Sequence, residues 1–178
     1  VEAQAVARCA AEAGAQALVL SAPVAGAIPH PPPPTDDLLD HLTGTWVLRG
    51  SMGTVELHQT VEAEWVVQGH YLRMHMIDAE PPSGEATPYE AVYMLGYDEG
   101  AGQYLFHLFD TFGAAYTRTI GVGTRTGDSI RFLFEYPGGL FANTFTWHAE
   151  EDHWEMTLEQ QEDDGTWTRF ATKTLTRP

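Results

Sequence analysis

Hydrophobic and polar residues alternate with a period of two along most of the chain after residue 54. The clearest stretch is 54–67, where mostly apolar side chains at odd positions alternate with mostly polar or charged side chains at even positions. The same alternation recurs in 89–98, 130–136 and 154–160. It is typical of antiparallel β-strands that place one face on a core and the other in water.

Short glycine- and proline-containing turns separate these runs, which predicts about ten strands with few helices between them. We expect an all-β domain, folded as a single antiparallel up-and-down barrel, because closing the sheet removes exposed strand edges. A sandwich of two sheets is the alternative. The turn signals lie at 81–84, 98–100, 126–128, 137–139 and 163–165.

The residues before the barrel differ in composition. Alanine-rich residues 1–20 predict a weakly amphipathic helix, and residues 21–34 end in four prolines, which favour an extended linker. We therefore divide the chain into an N-terminal extension with a proline-rich linker, 1–34, and a barrel domain, 35–178. Within that domain, 36–42 predicts a short helix, capped by Thr35 or Asp36, whose leucines point toward the core.

Five short motifs occur in order between residues 38 and 177: Leu42-Thr43-Gly44-Thr45-Trp46, His70-Tyr71-Leu72-Arg73-Met74, Tyr93-Met94-Leu95-Gly96-Tyr97-Asp98, Phe109-Asp110-Thr111-Phe112-Gly113 and Leu158-Glu159-Gln160-Gln161. A short helix leading into Gly-x-Trp resembles the opening of calycin barrels, which include lipocalins, fatty-acid-binding proteins and nitrobindins. With the other motifs, the segment resembles a bacterial calycin-like family classed as a domain of unknown function. The resemblance implies a calycin-type barrel with a central cavity, and it implies no reaction.

Nitrobindins, which bind heme, use a histidine late in the barrel as the axial ligand. The final predicted strand here, 167–176, contains no histidine, and the glycine-rich first strand of that family is replaced by 46–52. We therefore expect no heme and predict no other cofactor.

Charge and composition restrict the partners. Of 178 residues, 43% are hydrophobic, and 9 basic against 25 acidic residues give a net charge of −16. So negative a chain repels phosphate backbones and anionic membranes, so we expect neither nucleic-acid nor membrane partners. The single cysteine, Cys9, excludes an intramolecular disulfide.

The first residues make a poor signal peptide, because Glu2 and Glu12 stand where basic residues are expected. We therefore expect a cytoplasmic rather than an exported protein, although the small residues of 22–28 leave a degenerate cleavage region open. The sequence also leaves open a homodimer.

Polar residues on otherwise apolar strand faces are the candidate ligand contacts, because burying them is costly unless a partner or ligand satisfies them. Arg118 is the sharpest case, since strand parity places it on one face with Tyr116 and Ile120. An inward arginine requires either a ligand carboxylate or a buried acid such as Asp110. The other candidates with this parity are Gln59, His70, Tyr93, Asn143 and Gln160.

The pattern leaves two strands ambiguous. In 70–77 either face of the strand could point inward. One face holds His70 and the residues that alternate with Arg73, and the opposite face, if inward, would bring Arg73 and His75 into the cavity. His107 has the same ambiguity. An interior histidine could serve as a general base, although a satisfied core or rim histidine is the more common case.

His148 and His153 flank an acidic segment that reads as a hairpin loop. No compact metal-binding signature accompanies them, so we interpret the segment as an exposed acidic turn and predict no metal site.

These observations favour a barrel that binds a small, largely apolar molecule, with a carboxylate or carbonyl group allowed. A small barrel enzyme is the alternative, with His70, His75 or His107 as acid or base and an arginine orienting an anionic substrate. A third hypothesis is an interaction module that docks a partner through the N-terminal extension. The predicted cavity lining is Trp46, Trp65, Tyr93, Phe106, Tyr116, Phe132, Phe134, Phe145, Trp154 and Met156.

Overall fold

The structure is a computed structural model that describes residues 30–34, 36–80 and 87–178. The residues from Pro33 to Pro178 group into one compact unit. The predicted helix in 1–20, most of the linker and the predicted turn at 81–84 lie outside the described residues.

Ten antiparallel strands form a closed barrel in which each strand pairs with its neighbours in sequence and the first pairs with the last. The up-and-down topology and the strand number are therefore confirmed. The strands are β1 (Gly44–Met52), β2 (Val55–Val66), β3 (Tyr71–Asp78), β4 (Glu90–Asp98), β5 (Gln103–Asp110), β6 (Gly121–Thr126), β7 (Ser129–Tyr136), β8 (Gly139–His148), β9 (His153–Gln161) and β10 (Trp167–Thr176).

The period-two alternation sets which side chains face the interior. In β2, Gln59, Val61 and Ala63 are buried, and the polar residues between them are exposed. In β3 the buried set is Leu72, Met74 and Met76, which resolves the ambiguity of that strand.

A short helix, α1 (Asp37–Asp40), precedes the barrel. It begins as predicted, because the Asp36 carboxylate accepts a hydrogen bond from the Leu39 backbone N–H at 2.8 Å. Asp36 is buried and also accepts a hydrogen bond from the Tyr104 hydroxyl. Leu38, Leu39 and Leu42 are buried in the core.

The starts of odd-numbered strands and the ends of even-numbered strands meet at one end of an up-and-down barrel. At this end, Trp46 from β1 donates its indole N–H to the Leu42 carbonyl at 2.7 Å and packs edge-on against Trp147 from β8. The Arg177 guanidinium lies 3.5 Å from the centre of the Trp46 ring. Helix α1 and these tryptophans thus fill one end of the barrel.

The predicted strand through Tyr116 and Arg118 is wrong. Residues 111–120 form turns, β6 begins only at Gly121, and Arg118 is exposed. The inward positions of β6 are glycines, because a Cβ on Gly121 would lie 2.5 Å from the Phe134 ring and one on Gly123 would meet Phe132. The apolar residue Val122 faces outward and is 40% exposed, so the apolar pattern indicated the wrong face.

Candidate functional site

A cavity of about 750 Å³ occupies the end of the barrel opposite α1. Its walls come from the ends of odd-numbered strands, the starts of even-numbered strands and the 111–120 turns. Most of the lining is apolar or aromatic, and a smaller set of polar side chains faces the same space. The apolar lining includes Leu57, Phe106, Leu108, Phe134, Phe141 and Leu158, and the polar lining includes Gln59, Asp78, Tyr89, Tyr93, Asp110, Asn143 and Lys173.

Lys173 is the single lysine of the chain, and it is buried in this cavity with 6% of its surface exposed. It lies on β10 between the inward residues Ala171 and Leu175. Within the described residues its ammonium group makes no hydrogen bond or ion pair. Burial lowers the pKa of Lys173 to about 8, since a low-dielectric environment disfavours the charged form.

Two buried amides, Gln59 and Asn143, also line the cavity. The Gln59 Nε2 donates to Asp78 Oδ1 at 2.9 Å, which fixes the orientation of that amide. Gln59 Oε1 and Asn143 Oδ1 are buried and accept no hydrogen bond from the described residues. Two acceptor oxygens are therefore available to a bound donor, whether from a ligand or from water.

A hydrogen-bonded network joins the acids of the cavity to its aromatic rim. Asp78 accepts from the Tyr89 backbone N–H at 2.8 Å, and Asp110 accepts from the Tyr89 hydroxyl at 3.3 Å. Asp110 also accepts from the Phe112 backbone N–H, and the Phe112 ring packs against Tyr89 and Tyr116. Burial is the main cause that raises the pKa of the Tyr89 phenol, and the nearby carboxylates add to it, so the hydroxyl stays a donor.

The structure brings several of the predicted ligand contacts together in this cavity. Five of them line it from the strands of the barrel: Gln59, Tyr93, Phe106, Phe134 and Asn143. Burial raises the pKa of Tyr93, with Asp110 as a secondary cause. Tyr116 also lines the cavity, but it does so from a turn and is 56% exposed.

Other predicted lining residues point inward but lie toward the end filled by α1. Trp65 donates its indole N–H to Asp40 Oδ1 at 2.8 Å, which places it beside the helix. Gln160 is an exception, because it is exposed near the end of β9, away from α1, and does not line the cavity either. The remaining members of this group, none of which lines the cavity, are Trp46, Phe132, Phe145, Trp154 and Met156.

The candidate histidines and Arg73 lie outside the cavity lining. Arg73 and His75 face outward on β3 and pair with Glu64 and Glu90, each at 2.7 Å. Arg118, His70 and His107 are also absent from the lining. His70 follows the 3-10 turn Val67–Gly69, and His107 faces outward between the inward residues of β5.

His148, Glu151 and His153 offer potential metal-ligand atoms within 4.8 Å of one another at the β8–β9 turn. The two imidazole rings stack at 4.4 Å with only 16° between their planes. A structural zinc site usually has four protein ligands, and this cluster offers three.

A smaller cavity of about 400 Å³ lies beside α1. Its charged groups are already paired, since Arg125 donates to Asp37 at 2.7 Å and Tyr104 donates to Asp36. The Arg125 guanidinium lowers the pKa of the Asp37 carboxyl. We interpret this cluster as a structural clamp between the helix and β6.

Sequence reasoning missed Lys173, Asp78 and Tyr89, and it named Asp110 only as a possible ion-pair partner of Arg118. For Lys173 the signal was available, because Ala171, Lys173 and Leu175 alternate with polar residues in the last predicted strand, and no other lysine occurs. The position of Asp78 depends on a side-chain contact with Gln59 from the neighbouring strand, which no pattern along one strand reveals.

A family model described as a protein of unknown function, DUF1579, matches residues 32–177. A comparison with curated proteins finds no match. Among the residues that the structure describes, no helix has the length and apolar character needed to span a membrane.

Proposed function

We propose that this chain, which belongs to the DUF1579 family of proteins of unknown function, binds a small, largely apolar molecule in the barrel cavity. The ligand carries an oxygen-bearing group, a carbonyl or a carboxylate, that faces Lys173. The observation that carries this proposal is a large apolar cavity holding a few buried polar groups that lack partners among the described residues.

The size and lining of the cavity support the proposal. A volume of about 750 Å³ falls within the roughly 300–1,000 Å³ common for small-molecule sites. Aromatic and aliphatic walls favour an apolar ligand body, because its transfer from water is favourable in proportion to the area buried. A rim of aromatic residues that includes Phe112 and Tyr116 borders the entrance.

The buried polar groups define the remainder of the ligand. Lys173 supplies hydrogen-bond donors, and the unpartnered oxygens of Gln59 and Asn143 supply acceptors. A purely hydrocarbon ligand would leave all three unsatisfied, at a cost of about 1–3 kcal/mol for each buried group. An oxygen-bearing group near Lys173 relieves part of that cost.

The arrangement favours binding over histidine-based catalysis. A general base must lie within hydrogen-bond reach of the reacting atoms. His70, His75 and His107 do not line the cavity, and among the described residues the one histidine in the lining is His58, a partly exposed residue near the start of β2.

Titration with Nile red, a neutral apolar dye whose fluorescence rises in apolar surroundings, tests the proposal. Leu108 lines the cavity from β5, and Leu133 faces outward from β7 with 39% exposure. We expect the bulkier side chain of Leu108→Trp to intrude into the cavity and weaken dye binding at least about tenfold, which corresponds to 1.4 kcal/mol. Leu133→Trp is the matched control and should leave binding unchanged.

If the wild-type chain does not bind the dye, or if both variants bind it as the wild type does, the cavity is not the binding site. Loss of binding in Leu133→Trp alone would instead assign the dye to the outer surface of the barrel.

A further inference from the structure

The single lysine of the 178-residue chain is buried in the apolar barrel cavity, which calls for a chemical explanation. Lysine is almost never fully buried unless it is paired, because a desolvated ammonium is costly. The other basic side chains are arginines, and Arg73, Arg125 and Arg131 form ion pairs with acids. Lys173 forms none with the described residues, so the amine remains available to whatever enters the cavity.

The charge of the lining limits what that ligand can be. Four carboxylates, Glu56, Asp78, Glu80 and Asp110, line the cavity with Lys173. This excess of negative charge opposes the entry of a carboxylate or phosphate. It does not oppose a neutral carbonyl group.

We infer that Lys173 binds an aldehyde or ketone ligand covalently and reversibly, as an imine formed between its Nζ and the carbonyl carbon. This inference rests on the proposed function, because it names the reactive group of the molecule held in the cavity. Imine formation gives the buried lysine a role that an arginine could not fill, because a guanidinium stays protonated near neutral pH and does not form an imine with an aldehyde or ketone.

The reaction balances with the ligand and the lysine alone. The lone pair of the neutral amine attacks the carbonyl carbon, and the C=O π electrons move to oxygen. A proton then moves from nitrogen to that oxygen, which gives a carbinolamine. The hydroxyl group of the carbinolamine then leaves together with the remaining proton of the nitrogen, as water, while the C=N bond forms. The net reaction converts amine and carbonyl into imine and one water.

The surrounding side chains suit each stage of this reaction. The unpartnered oxygens of Gln59 and Asn143 can accept a hydrogen bond from the carbinolamine hydroxyl or from the N–H of a protonated imine. Asp78 and Asp110 line the same cavity, but burial is the cause that shifts the pKa of Lys173, so these carboxylates do not hold the amine in its charged form. Burial lowers the pKa of Lys173 to about 8, which leaves a larger neutral fraction at pH 7 than an exposed lysine has.

Reductive trapping tests the inference directly, and the presence of one lysine simplifies the readout. The full chain is incubated at pH 7 with cinnamaldehyde, an apolar aldehyde, and sodium cyanoborohydride, which reduces an imine to a stable secondary amine. Intact-mass and peptide mass spectrometry then separate labelling at Lys173 from labelling at the N-terminal amine. The same reaction in guanidinium chloride supplies the rate for Lys173 in the unfolded chain.

We expect Lys173 to be labelled at least about tenfold faster in the folded chain than in the unfolded chain, because a lysine of ordinary pKa is almost wholly protonated at pH 7. Leu108→Trp should slow labelling in the folded chain, and Leu133→Trp should not. Lys173→Met and Lys173→Arg should retain only the label at the N-terminus.

Labelling of Lys173 that is no faster in the folded than in the unfolded chain would overturn the inference. If Nile red binding is retained in that case, the proposed function stands and the imine is wrong. If Nile red binding is also absent, both fail.

Discussion

Gly50 on β1 lies directly opposite Lys173 on β10, and their backbones approach so closely that a Cβ on Gly50 would lie 2.7 Å from the Lys173 Cα. The same Cβ would lie 2.2 Å from the Thr172 backbone oxygen. Glycine at this position therefore lets β10 approach β1 where it carries the buried lysine.

Replacing Gly50 with alanine should force these two strands apart. We expect Gly50→Ala to lower the free energy of unfolding by about 1–3 kcal/mol, the usual range for overpacking a closed site. Gly138→Ala is the control, because a Cβ there meets no atom within 4 Å. Equal midpoints of chemical denaturation for the two variants would contradict the close approach of β1 and β10.

The two acids at the start of α1 should differ in their effect on stability. Asp36 is buried, caps the helix and accepts from Tyr104, whereas Asp37 is exposed and pairs with Arg125. We expect Asp36→Ala to cost about 1–3 kcal/mol and Asp37→Ala to cost clearly less, because water screens an exposed ion pair. Thermal and urea denaturation measure both, and a larger loss for Asp37→Ala would show that the cap is not the stabilising contact.

The burial of Lys173 should make stability depend on pH. Its pKa is about 8 in the folded chain against an ordinary value of 10.5, so the unfolded chain binds more protons between these values. Stability contributed by this group is therefore lowest below pH 8 and rises toward pH 10.5, by on the order of 3 kcal/mol in total.

Lys173→Met removes this titration. We expect the variant to be more stable than the wild type at pH 7.5 and the difference to shrink at pH 9.5, as measured by urea denaturation of both proteins at each pH. A constant difference would mean that Lys173 is not desolvated in the folded chain. Comparing two chains that differ at one position cancels the titration of the tyrosines.

The proline run at 31–34 motivates a test of domain organisation. We expect a chain that lacks residues 1–34 to unfold cooperatively, because the barrel closes on itself through pairing of β1 with β10. Calorimetry of the truncated and full chains measures this. Loss of a cooperative transition would mean that the extension completes the core of the barrel.

The fold was largely predictable because alternation reports directly on which side chains face inward. The pattern of β2, with Gln59 among apolar residues, matches the buried face of that strand. The pattern failed at β6, where Gly121 and Gly123 occupy the inward positions because phenylalanine rings from β7 fill the space that their side chains would take.

The site was predictable only in part, because parity gives the direction of a side chain but not its depth along the barrel. Phe134 and Phe132 share one face of β7, yet only Phe134 lines the cavity. Phe132 lies in the half of the core adjoining α1. A single-strand pattern also does not reveal the contacts between strands that hold Asp78 against Gln59.

The most direct test of the account locates the bound molecule. Two-dimensional ¹H–¹⁵N NMR spectra of the full chain are recorded during titration with Nile red. They show which backbone amides change their chemical shift when the dye binds. We expect the shifts to concentrate at Leu108, Asn143 and Lys173 in the cavity and to spare the amides near Trp46 at the opposite end. Shifts concentrated on the outward residues Val122 and Leu133, with none in the cavity, would contradict the account.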